Sequence, residues 1–273
     1  MLKPKTIDNL QINADLRIIR GSDLTHLQES HSRLNCSLIG DSRFDEILYL
    51  LEESSHMTES NDTDQMKTWK GDFGQQYTDR NPQVAADVEA LYNRNFGFSR
   101  TSINERFLSG VPKSFRILEV GCNVGTQLEV LSNMGFEHLY GIELQRYAVD
   151  IARKRLSSID IIAGSIFDIP FKDGFFDLVF TSGVLIHISP ETISTAIHEL
   201  IRCSNRYIWG CEYFSEVTEE ISYRGNNSLA WKTNFSRLLL GEDSSLILVK
   251  EEYLPYLQSD EIDVMYMLEK STR

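Results

Sequence analysis

From residue 115 onward, short apolar runs alternate with amphipathic ones, and that alternation leaves few folds open to the chain. "FRILEV", "HLYGIEL", "DIIAG", "FFDLVFTSG" and "NRYIWGCEYF" read as strands. The fourth is almost continuously apolar, as a parallel strand buried on both faces should be. Between them, "TQLEVLSNMG" reads as a helix stopped by Gly135. "QRYAVDIARKRL" reads as a helix whose basic end suits its dipole, and "SPETISTAIHELIRC" as one capped by Ser189 with Pro190 in its first turn. A helix near 231–240 follows, then "SLILVKEEYL" and "IDVMYMLEK" with no clear helix between them, which predicts an antiparallel hairpin at one edge. Strand-helix-strand repetition at this spacing predicts an α/β fold, a doubly wound and mostly parallel sheet of seven strands.

The first part of the chain does not share this pattern. Residues 1–56 contain two helical patterns, "SDLTHLQESHSRL" and "SRFDEILYLLEES", and a short strand candidate "LRIIR", and are read as a small N-terminal extension of unassigned role. Residues 57–67 fall in a polar, acidic stretch without periodicity and read as a linker. The main domain is then 68–273, with residues 84–108 helical. Trp69, Phe73 and Tyr77 recur every four residues, which places them on one helical face.

The sequence carries a net charge of −13. An acidic surface repels phosphate backbones and anionic headgroups, so neither nucleic acid nor a membrane surface is the expected partner. No run approaches the length of a membrane span. Cys36, Cys122, Cys203 and Cys211 show neither a CxxC pair nor zinc-ligand spacing, and are expected to be reduced and mostly buried. These features together predict a soluble, cytoplasmic protein with no metal site.

The turn between the first strand and its helix is Glu119-Val-Gly121-Cys-Asn-Val-Gly125. Glycine is needed where a strand bends sharply into a helix, because positive φ is cheap only without a Cβ. The helix N-terminus beyond offers free N–H groups. A dinucleotide site would have a glycine where Asn123 stands, so close approach of a pyrophosphate is disfavoured. Gly125 is expected to let the backbone pass near a small ligand. Glu119 suits a cation, and Glu143, at the tip of the second strand, suits the two hydroxyls of a ribose. Ribose without pyrophosphate, beside a cation, describes S-adenosylmethionine.

Here the sequence resembles the class I S-adenosylmethionine-dependent methyltransferases. "ILEVGCNVG" is similar to their first motif, "GIEL" to their ribose-binding acid, and "GSIFDIPFKDGFFDLVFTSGVLIHI" to their adenine segment and fourth strand. Five stretches, "WKGDFGQQYTDRN", "GVLIHISPE", "RCSNRYI", "CEYF" and "ISYRGNN", resemble the methylase family associated with pseudaminic acid biosynthesis. The resemblance covers about residues 68–213 and leaves 1–56 aside. It implies a Rossmann-like fold, S-adenosylmethionine as cofactor with S-adenosylhomocysteine as product, and a small, anionic, sugar-like acceptor of nonulosonic-acid type. It implies that Glu119, Gly121, Cys122, Asn123, Gly125, Glu143 and Leu144 hold the cofactor, together with Ser165, Ile166 and Phe167 and with Asp168 on the adenine amino group. Thr181, Ser182 and Gly183 end the fourth strand at the edge where ligands sit.

His187 follows that strand and is read either as the base that takes a proton from a hydroxyl or as a packing residue. Trp69, Tyr77 and Arg80 are read as a lid, with Tyr77 and Arg80 near the cofactor's carboxylate, or simply as a packed face. Tyr213, Tyr223, Arg224 and Asn226 are candidates for acceptor binding, against the reading of a structural loop. The function expected is methyl transfer to a small polar acceptor. The alternatives are a cofactor-binding but non-catalytic partner in a biosynthetic assembly and, less favoured by Asn123, an NAD-dependent oxidoreductase.

Overall fold

The computed structural model describes residues 62–271 of the 273. The two helical patterns and the strand candidate expected before residue 57 lie outside the described residues. Within them, seven strands form one sheet. They are β1 (Arg116–Val120), β2 (His138–Glu143), β3 (Asp160–Ala163), β4 (Phe176–Ser182), β5 (Ser204–Tyr213), β8 (Leu246–Pro255) and β9 (Ile262–Lys270), while β6 (Glu219–Glu220) and β7 (Trp231–Lys232) pair separately. The order is β3-β2-β1-β4-β5-β9-β8, parallel from β3 to β5 and antiparallel at β9 and β8. The expected edge hairpin is present, with β9 rather than β8 inserted against β5. The α/β, doubly wound, seven-stranded fold is therefore as expected.

Burial explains the sequence pattern of the central strand. Phe176, Leu178, Val179 and Phe180 of β4 are each at most 1% exposed. Full burial of such a side chain stabilises the fold by roughly 1.5–3 kcal/mol. The crossover helices α5 (Thr126–Asn133), α6 (Arg146–Arg155) and α7 (Ile193–Cys203) turn Leu128, Leu131, Val149, Ala152, Ala196, Ile197 and Leu200 inward. Helix α8 (Phe235–Glu242) buries Phe235 and Leu239.

Among the described residues, four helices precede the sheet: α1 (Asp64–Lys70), α2 (Asp72–Arg80), α3 (Ala85–Phe96) and α4 (Arg100–Leu108). Four boundaries differ from the sequence reading, each for a local reason. Helix α1 begins inside the expected linker, because the Thr63 side chain accepts from the Met66 amide and caps it. The expected helix over 84–108 is two helices, broken at Gly97 with φ +79°. Helix α7 begins at Ile193 rather than at Ser189. The Ser189 carbonyl instead closes a turn onto Thr192 and Ile193, both at 3.0 Å. The helix nearest 231–240 likewise begins late, since Trp231 and Lys232 belong to β7.

Candidate active site

Where β1 and β4 lie side by side, chain connections leave the sheet in opposite directions, and the crevice outside their carboxyl ends is where such sheets bind ligands. Here it opens into a cavity of about 300 Å³. The site residues fall in one compact unit, Asp62–Ile169 with Asp173–Arg273.

The glycine turn forms one wall. Gly121, Asn123 and Gly125 have φ of 76°, 47° and 76°, three left-handed residues in five. A Cβ on Gly121 would stand 2.6 Å from Val184 Cγ2, so only glycine lets the β1 and β4 loops approach. Gly125 differs from its expected role. It lies outside the cavity lining, and its missing Cβ makes room for Leu156 Cδ1, 2.6 Å away, which allows α5 to pack. Cys122 and Asn123 line the cavity.

Glu119 ends β1 almost fully buried. The Leu128 backbone hydrogen-bonds its carboxyl, yet Oε2 has no partner among the described residues. Burial drives its pKa well up, partly opposed by the Arg100 charge. Glu143 ends β2. Its Oε2 accepts from the Asn123 amide at 2.8 Å and its Oε1 from the Gln145 amide at 2.7 Å. Burial raises its pKa against those bonds. Leu144, Ser165, Ile166 and Phe167 continue the wall. Asp168 does not, being exposed and outside the lining; its backbone bridges to Ser165 in a tight turn. The apolar face left by Leu144, Ile166 and Phe167 suits a planar ring without that acid.

Ser182 and Gly183 line the cavity. Thr181 lies beneath it, and its hydroxyl bonds Glu212. His187 sits on a 3₁₀ turn, Leu185–His187, and is buried. Its Nδ1 lies 2.8 Å from the Leu229 carbonyl, which fixes the proton there and leaves the lone pair on Nε2, an atom with no partner among the described residues. Burial lowers its pKa to about 4. The ring lies between Trp69, tilted at 4.5 Å, and Tyr223, edge-on at 4.8 Å.

The N-terminal aromatic residues do converge on the site, but from two helices rather than one. Gly71 separates α1 from α2, and Trp69 meets Phe73 at 5.1 Å and Tyr77 at 5.2 Å. Gln145 Nε2 donates to the carbonyls of Trp69, Lys70 and Gly71 at 2.9–3.2 Å, tying α1 to the β2 loop. Trp69 and Tyr77 line the cavity. Arg80 is exposed, with its guanidinium over the Phe73 and Tyr77 rings, and lies outside the lining. Tyr213 lines the cavity, whereas Arg224 and Asn226 are exposed in a turn that Asn226 closes onto Tyr223. Of the four residues expected to bind acceptor, only Tyr213 lines the cavity, and Tyr223 touches it through His187.

Three buried polar residues were not expected. Arg100, fully buried, donates to Asn104, to the Tyr92 hydroxyl and to Ser182 Oγ. Glu212 accepts from the Val184 and Ile186 amides, so it holds the loop that carries His187; burial pushes its pKa up to about 7. Asp263 opens β9. An acid inside an apolar strand, such as Glu212 in "WGCEYF", is costly unless something uses it, and that was the available signal.

Residues 118–206 match the methyltransferase domain family. The chain is 28% identical over 113 residues to a tRNA (carboxymethyluridine(34)-5-O)-methyltransferase of Xenopus tropicalis, covering 39% of this chain and 17% of that protein. It is 28% identical over 111 residues to an O-methyltransferase of Aspergillus nomiae, covering 38% of this chain and 48% of that one. It thus spans less than half the length of either relative. The magnesium protoporphyrin IX methyltransferase of Synechocystis PCC 6803, solved with bound S-adenosylmethionine, shares the fold at a TM-score of 0.56 and 14% identity over 78% of this chain and 100% of that one. The matched segment thus resembles a methyltransferase domain, on a fold shared with a methyltransferase solved with bound S-adenosylmethionine.

Proposed function

We propose that the chain transfers a methyl group from S-adenosylmethionine to a small polar acceptor of sugar type. The observation that carries the reading is the convergence of Glu119, Gly121, Asn123 and Glu143 on one cavity, with Glu119 Oε2 and Asn123 Oδ1 buried and without a partner among the described residues. Buried polar atoms normally find partners, so these two mark where a polar ligand sits. Glu143 would hold the ribose, Glu119 the positive methionine end, and Leu144, Ile166 and Phe167 the adenine.

When bound, S-adenosylmethionine supplies an electrophilic methyl group on a sulfonium leaving group. The protein's own task is therefore mainly positioning and the exclusion of water. Trp69 and Tyr77 close the cavity from the N-terminal side. His187 lines the cavity, its Nε2 lone pair has no partner among the described residues, and the ring stays neutral at working pH. With a pKa of about 4 it is a weak base, so its effect belongs at the low end of the ~10²–10⁴-fold expected of general bases. The sugar-type acceptor rests on the five stretches similar to the pseudaminic acid-associated methylases.

Calorimetry with S-adenosylmethionine, S-adenosylhomocysteine and NAD tests the cofactor, and binding of NAD alone would overturn the reading. Incubation with labelled S-adenosylmethionine and a panel of sugars, amino sugars and sugar acids, read by mass for one added methylene, tests the acceptor. Cofactor binding without transfer to any acceptor would favour the non-catalytic partner. His187→Ala should slow transfer to a hydroxyl by about a hundredfold, and unchanged turnover would exclude the base role.

A further inference from the structure

The cavity has a second end, away from the glycine turn. Strand β9 runs antiparallel to β5, so its first residues meet the last of β5. Tyr213 lies opposite Asp263, and Leu254 of β8 pairs with Asp263 from the other side. Strand order places Asp263 three strand spacings from the strand of Glu119, roughly 14 Å across the sheet.

Asp263 is 8% exposed and lines the cavity. Its Oδ2 accepts from the Tyr256 hydroxyl at 3.3 Å, while Oδ1 has no partner among the described residues. A carboxyl oxygen left buried and unpaired costs stability, and no packing need accounts for it. The charge of the lining points the same way. The ionisable lining residues include four acids, Glu119, Glu143, Glu212 and Asp263, and among the described lining residues none is Lys or Arg. Arg100, outside the lining, is bonded to Tyr92, Asn104 and Ser182; its Nη2 has no partner among the described residues, and its charge partly offsets the burial of Asp263.

We propose that the end of the cavity formed by Tyr92, Cys211, Glu212, Tyr213, Tyr256 and Asp263 is the acceptor compartment, and that Asp263 selects an acceptor presenting a hydroxyl or ammonium donor, neutral or cationic. Once Asp263 is ionised, above the pKa of about 8 to which burial raises it, an anionic acceptor would meet like charge there, so an amino sugar or an uncharged sugar fits better than the sugar acid that the resemblance implies. Asp263 acts as a specificity determinant, accepting a hydrogen bond from the acceptor at Oδ1. The proposal rests on the cofactor reading above.

The test needs no knowledge of the natural acceptor. Three analogues of S-adenosylhomocysteine, with nitrogen for sulfur, carry an arm of about eight carbons where the transferable methyl belongs, long enough to span the strands toward Asp263, ending in an ammonium, a hydroxyl or a carboxylate. Calorimetry on the full chain at about pH 9, above the pKa of about 8 of Asp263, should rank them in that order, with the ammonium arm about tenfold or more tighter than the carboxylate arm. Asp263→Asn, which keeps an oxygen for Tyr256, should cut that ratio to about threefold or less while leaving S-adenosylhomocysteine affinity within about twofold. Should the variant not fold, the ranking on the unaltered chain decides alone. Equal affinities, or a preference for the carboxylate arm, would overturn the proposal. If S-adenosylhomocysteine itself does not bind, the cofactor reading falls and takes this one with it, a result distinct from binding without discrimination.

Discussion

Gly121 and Gly183 both have positive φ, yet only one of them is crowded, and the difference separates backbone strain from packing. A methyl group on Gly183 meets nothing within 4 Å, so Gly183→Ala suffers only the left-handed penalty of about 1–2 kcal/mol. On Gly121 the same methyl stands 2.6 Å from Val184 Cγ2 and adds an overpacking cost of about 1–3 kcal/mol. Gly121→Ala should therefore unfold several degrees lower than Gly183→Ala and should bind S-adenosylmethionine more weakly by about tenfold, because the displaced loop carries His187. Thermal melts and calorimetry on the two variants check this, and equal losses would mean that Val184 yields freely. The need for a glycine at 121 was legible in the sequence, since a strand turning into a helix demands one. The reason for Gly125 was not, because its neighbour Leu156 is 31 residues away in the chain. Asp168 misled for a related reason: its position in the motif looked right, but its side chain points out of the turn that Ser165 and Asp168 close.

Among the elements, the parallel strands were the easiest to read and the N-terminal helices the hardest. A strand buried on both faces announces itself as an apolar run, as "FFDLVFTSG" does. Helices α1 and α2 are short and polar, and contacts with distant residues hold them: Gln65 donates to the His187 carbonyl, Tyr147 donates to Asp79, and Gln145 makes the largest set. Gln145 on the β2 loop binds three carbonyls at the end of α1. Gly74 lets α2 fold back, since a Cβ there would lie 1.8 Å from the Trp69 carbonyl oxygen. This pair of helices brings Trp69 against His187. Gln145→Ala should thus free the cover without disturbing the sheet. We expect a loss of about 1–3 kcal/mol in the docking of α1 and α2, from three backbone carbonyls that lose their donor. Amide exchange should accelerate over residues 64–80 and remain slow in β1 and β4, and S-adenosylmethionine should dissociate faster with little change in its association rate. Slow exchange over 64–80 in the variant would show that the aromatic contacts of Trp69 and the bonds from Gln65 and Tyr147 hold the cover without Gln145. No periodicity in residues 64–80 reveals Gln145, whose contacts are 74–76 residues away.

For the molecule as a whole, burying acids around one cavity couples stability to pH. Glu212 and Asp263 have folded pKa values raised to about 7 and about 8, chiefly by burial, from 4.5 and 3.8. Glu119 and Glu143 shift in the same direction. A raised carboxyl is stabilising below its unfolded pKa, and that contribution is lost as pH rises toward its folded pKa, because the folded state then holds the proton that the unfolded state has shed. His187 works the other way: lowered to about 4 from 6.5, it adds stability above 6.5 that disappears as pH falls toward 4. The two effects oppose each other between about pH 4 and 6.5. Above 6.5 only the carboxyls remain, so unfolding free energy should decline from pH 6.5 to 8. The net charge of −13 adds a shallow decline of its own, so the decisive quantity is a difference between variants. The groups that act on Asp263 are Arg100, Glu212, Tyr256 and Glu261, with Tyr213 opposite it in the sheet. Asp263→Asn leaves these in place and removes one titration, worth at most about 1.4 kcal/mol per pH unit. Urea unfolding at pH 6, 7 and 8 should show the variant's slope flatter by up to that amount. S-adenosylmethionine brings positive charge to the same acids, so its affinity should rise over this range. That of S-adenosylhomocysteine, which lacks the sulfonium charge, should rise less. A stability that climbs from pH 6.5 to 8, or an affinity that falls, would mean that the acids at the mouth of the sheet are already ionised before the cofactor arrives.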